Sequence, residues 1–176
     1  MSEIALPKTF RQLLGQTLSA DFRKEVVETL LTDKEAKPAA QEALGTIAAL
    51  RKMRPQTIST LGRPERMSLF LTSLGQPAME TSAMQALQVW FLRKGRPLMA
   101  QMLDSWKIPH DNGELADDAQ LPALSADQVR DAATEAAKSH PKSAVTAYVA
   151  YNHLAPSAEG WEESFGTVLA ELLAGN

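Results

Sequence analysis

The sequence predicts an all-α protein: a multi-helix bundle or short stack of helical hairpins, with about seven or eight helices and no sheet. Three observations predict it. Apolar residues recur at helical spacing in most of the chain, as in Phe22, Val26, Val27, Leu30 and Leu31. Pro and Gly punctuate those stretches where helices start and stop. No stretch alternates with period two among β-branched residues, so nothing reads as a strand.

The most apolar segment, about 78–94, is expected to be the central helix. From Ala83 to Leu92 only Gln85 and Gln88 are polar, and a helix apolar nearly all round is usually covered on several sides. It is too short to span a membrane, which needs roughly 20 apolar residues. Arg93 and Lys94 suit the negative end of its dipole. Gly95 fits a left-handed C-terminal cap, and Pro97 fits the first turn of a following helix over about 97–106. The two read as a hairpin.

The other elements follow in order. Residues 1–8 read as a loose leader. Thr9 caps a helix to about Leu18. Ser19 or Asp21 restarts it, giving the Phe22–Leu31 stripe. An Ala-rich helix over about 34–53 requires Pro38 in its first turn. Residues 55–64 look turn-like, and Pro64 opens a short helix ending before Gly75 and Pro77. Residues 107–124 form a long non-periodic connection in which Asn112-Gly113 signals a turn. Ser125 and Gln128 have capping-box spacing and start a helix to about Ser139. Pro141 opens the next, and Trp161, Phe165, Val168, Leu169 and Leu172 give the last a clear stripe. The expected organisation is a helical core over 1–106, an acidic connecting loop over 107–124 and a C-terminal helical segment over 125–176, packed as one domain.

Composition bounds the function. The chain of 176 residues is 44% hydrophobic and 22% charged, as in ordinary globular proteins. It has no Cys, which excludes disulfides, thiol catalysis and Cys-bound metals and agrees with a reducing compartment. MSEIALPKTF lacks an apolar signal core, and no segment reads as transmembrane, so the expected setting is cytoplasmic, away from membrane. The net charge of −3 conceals opposed halves: 14 Lys/Arg against 9 Asp/Glu through Arg96, then 4 against 12. Such halves pair within the chain or meet separate partners.

Two hexamers, LRKMRP from Leu50 and LRKGRP from Leu92, stand 42 residues apart, close to the period of two-helix solenoid units. The plainer account is that Lys/Arg favours helix C-termini and Pro follows them. Their cations, Arg51, Lys52, Arg54, Arg93, Lys94 and Arg96, with Arg63 and Arg66 nearby, would form a basic rim for phosphates or an acidic partner. Sparse aromatics and the overall negative charge weigh against nucleic acid.

A polar loop carries His110, Asp111, Asn112 and Glu114, followed by Asp117 and Asp118. Such oxygen density suits a hard cation, and His with Asp suits acid–base work. It misses EF-hand spacing, however, and a polar turn capping its own backbone explains it as well. His140 reads as a helix-end cap, and Asn152 and His153 could share a small polar pocket with Tyr148 and Tyr151. The Met residues near the central helices read as core filler. No nucleophile-elbow, P-loop, dinucleotide or zincin motif occurs, and no cofactor is expected.

The function these features favour is a non-enzymatic interaction or regulatory module that binds a protein partner, or itself, through a helical groove. A nucleic-acid-associated protein using the basic rim and a metal-using enzyme centred on His110 are the alternatives.

Overall fold

A computed structural model describes residues 5–175. Their order is α1 (Phe10–Gln12), a π-helical stretch (Leu13–Thr17), α2 (Ala20–Thr32), α3 (Lys37–Leu50), α4 (Pro55–Thr60) and α5 (Arg63–Ser73). A 3-10 turn (Pro77–Met79) leads into α6 (Glu80–Arg93) and α7 (Arg96–Ser105). A hairpin of β1 (His110–Asp111) and β2 (Glu114–Leu115) follows, then α8 (Ala126–Ala136), α9 (Lys142–Leu154) and α10 (Trp161–Ala174). The fold is helical, as the sequence predicts. The described residues hold ten α-helices rather than seven or eight, and a tiny sheet where none was expected.

Both departures have local causes. The span 55–64, read as a turn, contains α4, because Pro55 sits in its first turn and Ile58 supplies one buried anchor. In the expected 107–124 loop, β1 and β2 pair antiparallel, His110 opposite Leu115 and Asp111 opposite Glu114. Two residues per strand are too few to show alternation. The turn between them has positive φ at both Asn112 (47°) and Gly113 (87°), as a type I′ hairpin requires.

The chain divides into two compact units: residues 9–93, and residues 94–175 with 5–8. In the first, α6 packs on α1, α2 and α3, and α2 also packs on α3 and α5. Leu13, Leu14, Val26, Leu30, Ile47, Phe70, Met79 and Leu87 are fully buried there. Phe22 meets Trp90 edge to face with ring centroids 4.7 Å apart, and the Trp90 Nε1–H donates to Glu25 at 3.1 Å. The helix expected over 9–18 breaks into α1 and the π-helical stretch. A Cβ on Gly15, inside that stretch, would come 3.3 Å from the Cβ of Leu74. The Glu80 carboxylate accepts the backbone N–H groups of Phe10 and Arg11 at 2.8 and 3.1 Å, satisfying donors that α1 cannot bond internally.

In the second unit α9 pairs with α10, and α8 packs on both α10 and α7. Residues 144–150 of α9 are all buried, so α9 is covered on every side. Trp106, Trp161 and Phe165 cluster, and both indole N–H groups are satisfied by carbonyls, of Gln128 and Pro122. The Ser125–Gln128 capping box forms in both directions.

Other expectations change in detail. Gly95 is right-handed (φ −87°) and serves as the N-cap of α7, not as a left-handed end of α6. The two basic hexamers also differ in backbone: Lys52 is left-handed (φ 54°) after α3 ends at Leu50, whereas α6 runs on through Arg93. Helices α6 and α7 follow each other directly but belong to different units. Of the expected leader, residues 1–4 lie outside the described ones; residues 5–8 carry no regular structure, and Pro7 is buried. No described helix is long and apolar enough to cross a membrane.

Candidate binding groove

Helix α6 is less enclosed than its composition suggests. Its residues Gln85, Gln88, Val89 and Leu92 stand at i, i+3, i+4 and i+7, one continuous face. Val89 is only half-buried and Leu92 is 39% exposed. Opposite lie Glu35 and Ala36 in the turn before α3, then Pro38, Ala39 and Glu42 on α3 itself. Together these residues line an open trough of about 410 Å³ within residues 9–93.

The sequence builds each wall for a reason. Pro38 fits the first turn of α3, where its missing N–H is no loss. The Asp33 carboxylate accepts the N–H groups of Glu35 and Ala36 at 2.9 Å, which fixes the turn entering α3. Arg93, at the end of α6, pairs with Asp33 at 2.8 Å and with Glu35. This clamp brings the C-terminus of α6 to the N-terminus of α3, so the two helices line the trough in opposite directions. The hydrogen bond that Arg93 donates to Glu35, helped by Asp33, raises the Arg93 pKa above its ordinary value, so this cation stays charged.

The walls differ in chemistry. The α3 side is small and acidic: Ala36 and Ala39 leave space beside Glu35 and Glu42. The α6 side is uncharged, with two amides, a valine and a leucine. Glu35 is held by Arg93, whereas Glu42 has no ion pair among the described residues. The Oε1 of Gln85 is sealed from solvent and lacks a hydrogen-bond partner.

The residues of the expected basic rim have local partners or exposure of their own. Arg51 donates to the hydroxyls of Thr72 at 2.7 Å and Ser73 at 3.4 Å. Lys52 and Arg54 are exposed. Arg93 belongs to the acidic clamp just described. Lys94 and Arg96 lie in the second unit, where Arg96 pairs with Glu114 and donates to the carbonyl of Asn112 at 3.3 Å.

The polar loop serves its own hairpin. The Gly113 N–H donates to His110 Nδ1 at 3.2 Å, so Nε2 carries the ring proton and donates to Asp104 at 3.1 Å. His110 is thus brought to Asp104, while Glu114 turns to Arg96 and Asp111 and Asn112 stay exposed. Among the described residues no three His, Asp or Glu side chains are grouped to hold a metal.

The remaining candidates are structural. His140 donates Nε2–H to Gln101 at 2.9 Å. His153 Nδ1–H donates to the carbonyl of Glu162 at 2.8 Å, and Gly166 leaves room for that ring. Asn152 donates to the Tyr148 carbonyl at 3.0 Å; burial pushes the Tyr148 hydroxyl above its ordinary pKa, opposed by a hydrogen bond with Asn152. A second depression of about 190 Å³, between α8, α9 and α10, is lined by Arg130, Lys142, Val168 and Glu171 among others. Its central cation is already taken: Arg130 binds the Glu171 carboxylate through two bonds of 2.7 Å and also pairs with Asp127.

Sequence reasoning passed over the trough. One signal was present: Val89 and Leu92 are apolar residues that share a helical face with Gln85 and Gln88, and a face carrying two amides is a poor candidate for full burial. That this face borders the Ala-rich flank of α3 depends on a tertiary pairing that local pattern does not encode. No family model matches the chain, and neither does any curated protein or solved structure.

Proposed function

We propose that the chain is a non-enzymatic interaction module whose α3–α6 trough receives a helical segment of a protein partner. The observation that carries this reading is the open trough itself: Val89 and Leu92 present apolar surface to solvent beside the small residues Ala36 and Ala39. A groove between two helices is a common receptor for an amphipathic helix. The nucleic-acid alternative draws less support, since Arg93 and Arg96 are already paired with carboxylates. The metal-enzyme alternative draws less as well, since His110 is engaged by Asp104 and Gly113.

The test compares the parent chain with Leu92→Glu and Val89→Arg. Both positions are partly exposed, so the substitutions leave the core intact. Immobilised on a support and washed with cell extract, the parent should retain a protein that both variants lose. If all three retain the same set, the trough is not the binding surface.

A further inference from the structure

Resting on that reading, we infer that the occupant is a basic amphipathic helix, with aliphatic side chains at i, i+3 or i+4, and i+7, and a Lys or Arg edge set against Glu42. Three features of the trough specify it.

The first is openness. Pro38, Glu42, Gln88 and Leu92 all remain exposed around it. Small-molecule sites bury about 70–90% of their ligand, and this trough would cover one side only. A macromolecular segment, which brings its own far side, suits it better.

The second is the backbone of the walls. Both walls are helices, whose N–H and C=O groups are bonded within the helix, so no sheet edge is offered to an extended peptide. From Gln85 to Leu92 the α6 face runs about 10 Å, at about 1.5 Å per residue. A docked helix places three side chains of one face along that length. Ala36 and Ala39 let its backbone approach α3, while Val89 and Leu92 supply the apolar contact.

The third is charge. The α3 lip carries Glu35 and Glu42, and the α6 residues that line the trough carry no charge. Arg93 already holds Glu35, so Glu42 is the carboxylate left for a cation of the occupant. An acidic helix would set like charges together, which costs affinity.

The test uses the full chain and synthetic helices of about 18 residues, long enough to be partly helical alone. The probe has Leu on one face and Lys flanking it. One control replaces Lys by Glu; another keeps the composition and scrambles the Leu spacing. Binding is read by fluorescence anisotropy at two salt concentrations. The Lys helix should bind, the scrambled control should fail, and the Glu helix should bind more weakly than the Lys helix. Leu92→Glu should weaken binding at least about tenfold, as for a buried anchor. Glu42→Lys should weaken it roughly two- to fivefold, as for an exposed ion pair, and should strengthen binding of the Glu helix. Circular dichroism verifies that both variants are folded. Equal binding of the Lys and Glu helices would overturn the inference. So would a Leu92-dependent doubling of the 19.2 kDa mass by light scattering, which would make a second copy the occupant. Binding of neither helix, with groove-dependent retention of a cellular protein preserved, would overturn the inference and leave the binding reading standing. Loss of both would remove that reading too.

Discussion

At the scale of single residues, Gly113 is the most constrained position of the hairpin. It has positive φ, and a Cβ there would lie 2.7 Å from the carbonyl oxygen of Arg96 and 3.0 Å from the Cβ of Met99. Gly160 shares the backbone conformation (φ 80°) but faces open space. The two separate conformational cost from steric cost. Gly160→Ala should cost about 1 kcal/mol, the left-handed penalty alone. Gly113→Ala should cost roughly 2–4 kcal/mol, because the overlap with α7 adds to it. Denaturant midpoints measure both, and equal losses would refute the steric part. The Asn112-Gly113 turn was legible in the sequence because these residue types tolerate positive φ. The ladder it closes was not, because Arg96 and the first turn of α7 hold the hairpin through contacts remote in sequence.

At the scale of elements, legibility followed the local chemistry of helix ends. Ser125 with Gln128, and Pro38, Pro64 and Pro97 in first turns, act within a few residues and could be read directly. Which faces are covered could not. Segment 83–92 reads as a helix covered on several sides, yet the helix with the longest unbroken buried run is α9, whose residues 144–150 are all buried. Small residues such as Ala144, Ala147 and Ala150 read as neutral in sequence and become core only when a partner helix closes on them. The tie between α8 and α10 carries its own prediction. The Arg130 hydrogen bonds hold the Glu171 pKa below its ordinary value. A depressed carboxylate adds stability above the unfolded-state pKa and loses it as pH falls through the folded one. Acid titration of stability should therefore show a smaller acid-side loss in Glu171→Gln than in the parent, with the curves differing most near neutral pH. The effect should be small, because the pair is exposed. Parallel curves across the acid range would show that the pair adds nothing.

For the molecule as a whole, the division at residues 93 and 94 has a direct consequence. Residues 9–93 contain a contiguous core of their own, from Leu13 and Leu14 through Ile47 and Phe70 to Leu87, and every residue lining the trough. Chains of that size can fold alone. Expressed separately, 9–93 should give a cooperative thermal transition by far-ultraviolet circular dichroism. A gradual, non-cooperative loss of signal would mean that its stability depends on the remaining residues. The sequence did reveal opposed charge between its two ends. Much of that charge is used locally: Arg93 by Asp33 and Glu35, Arg63 by Glu28, Arg96 by Glu114, and Arg130 by Asp127 and Glu171.

The placement of the three indoles makes the protein its own optical reporter. Trp90 is the sole indole of residues 9–93 and sits on the helix that forms one wall of the trough, whereas Trp106 and Trp161 lie near each other, tilted by 59°, in the other unit, 6.0 Å between centroids. Emission from Trp90, next in sequence to Val89 and bonded to Glu25, belongs to the unit that contains the trough; emission from the other pair belongs to the unit that does not. With Trp106 and Trp161 replaced by Phe, one wavelength band would follow the first unit alone, without any label attached.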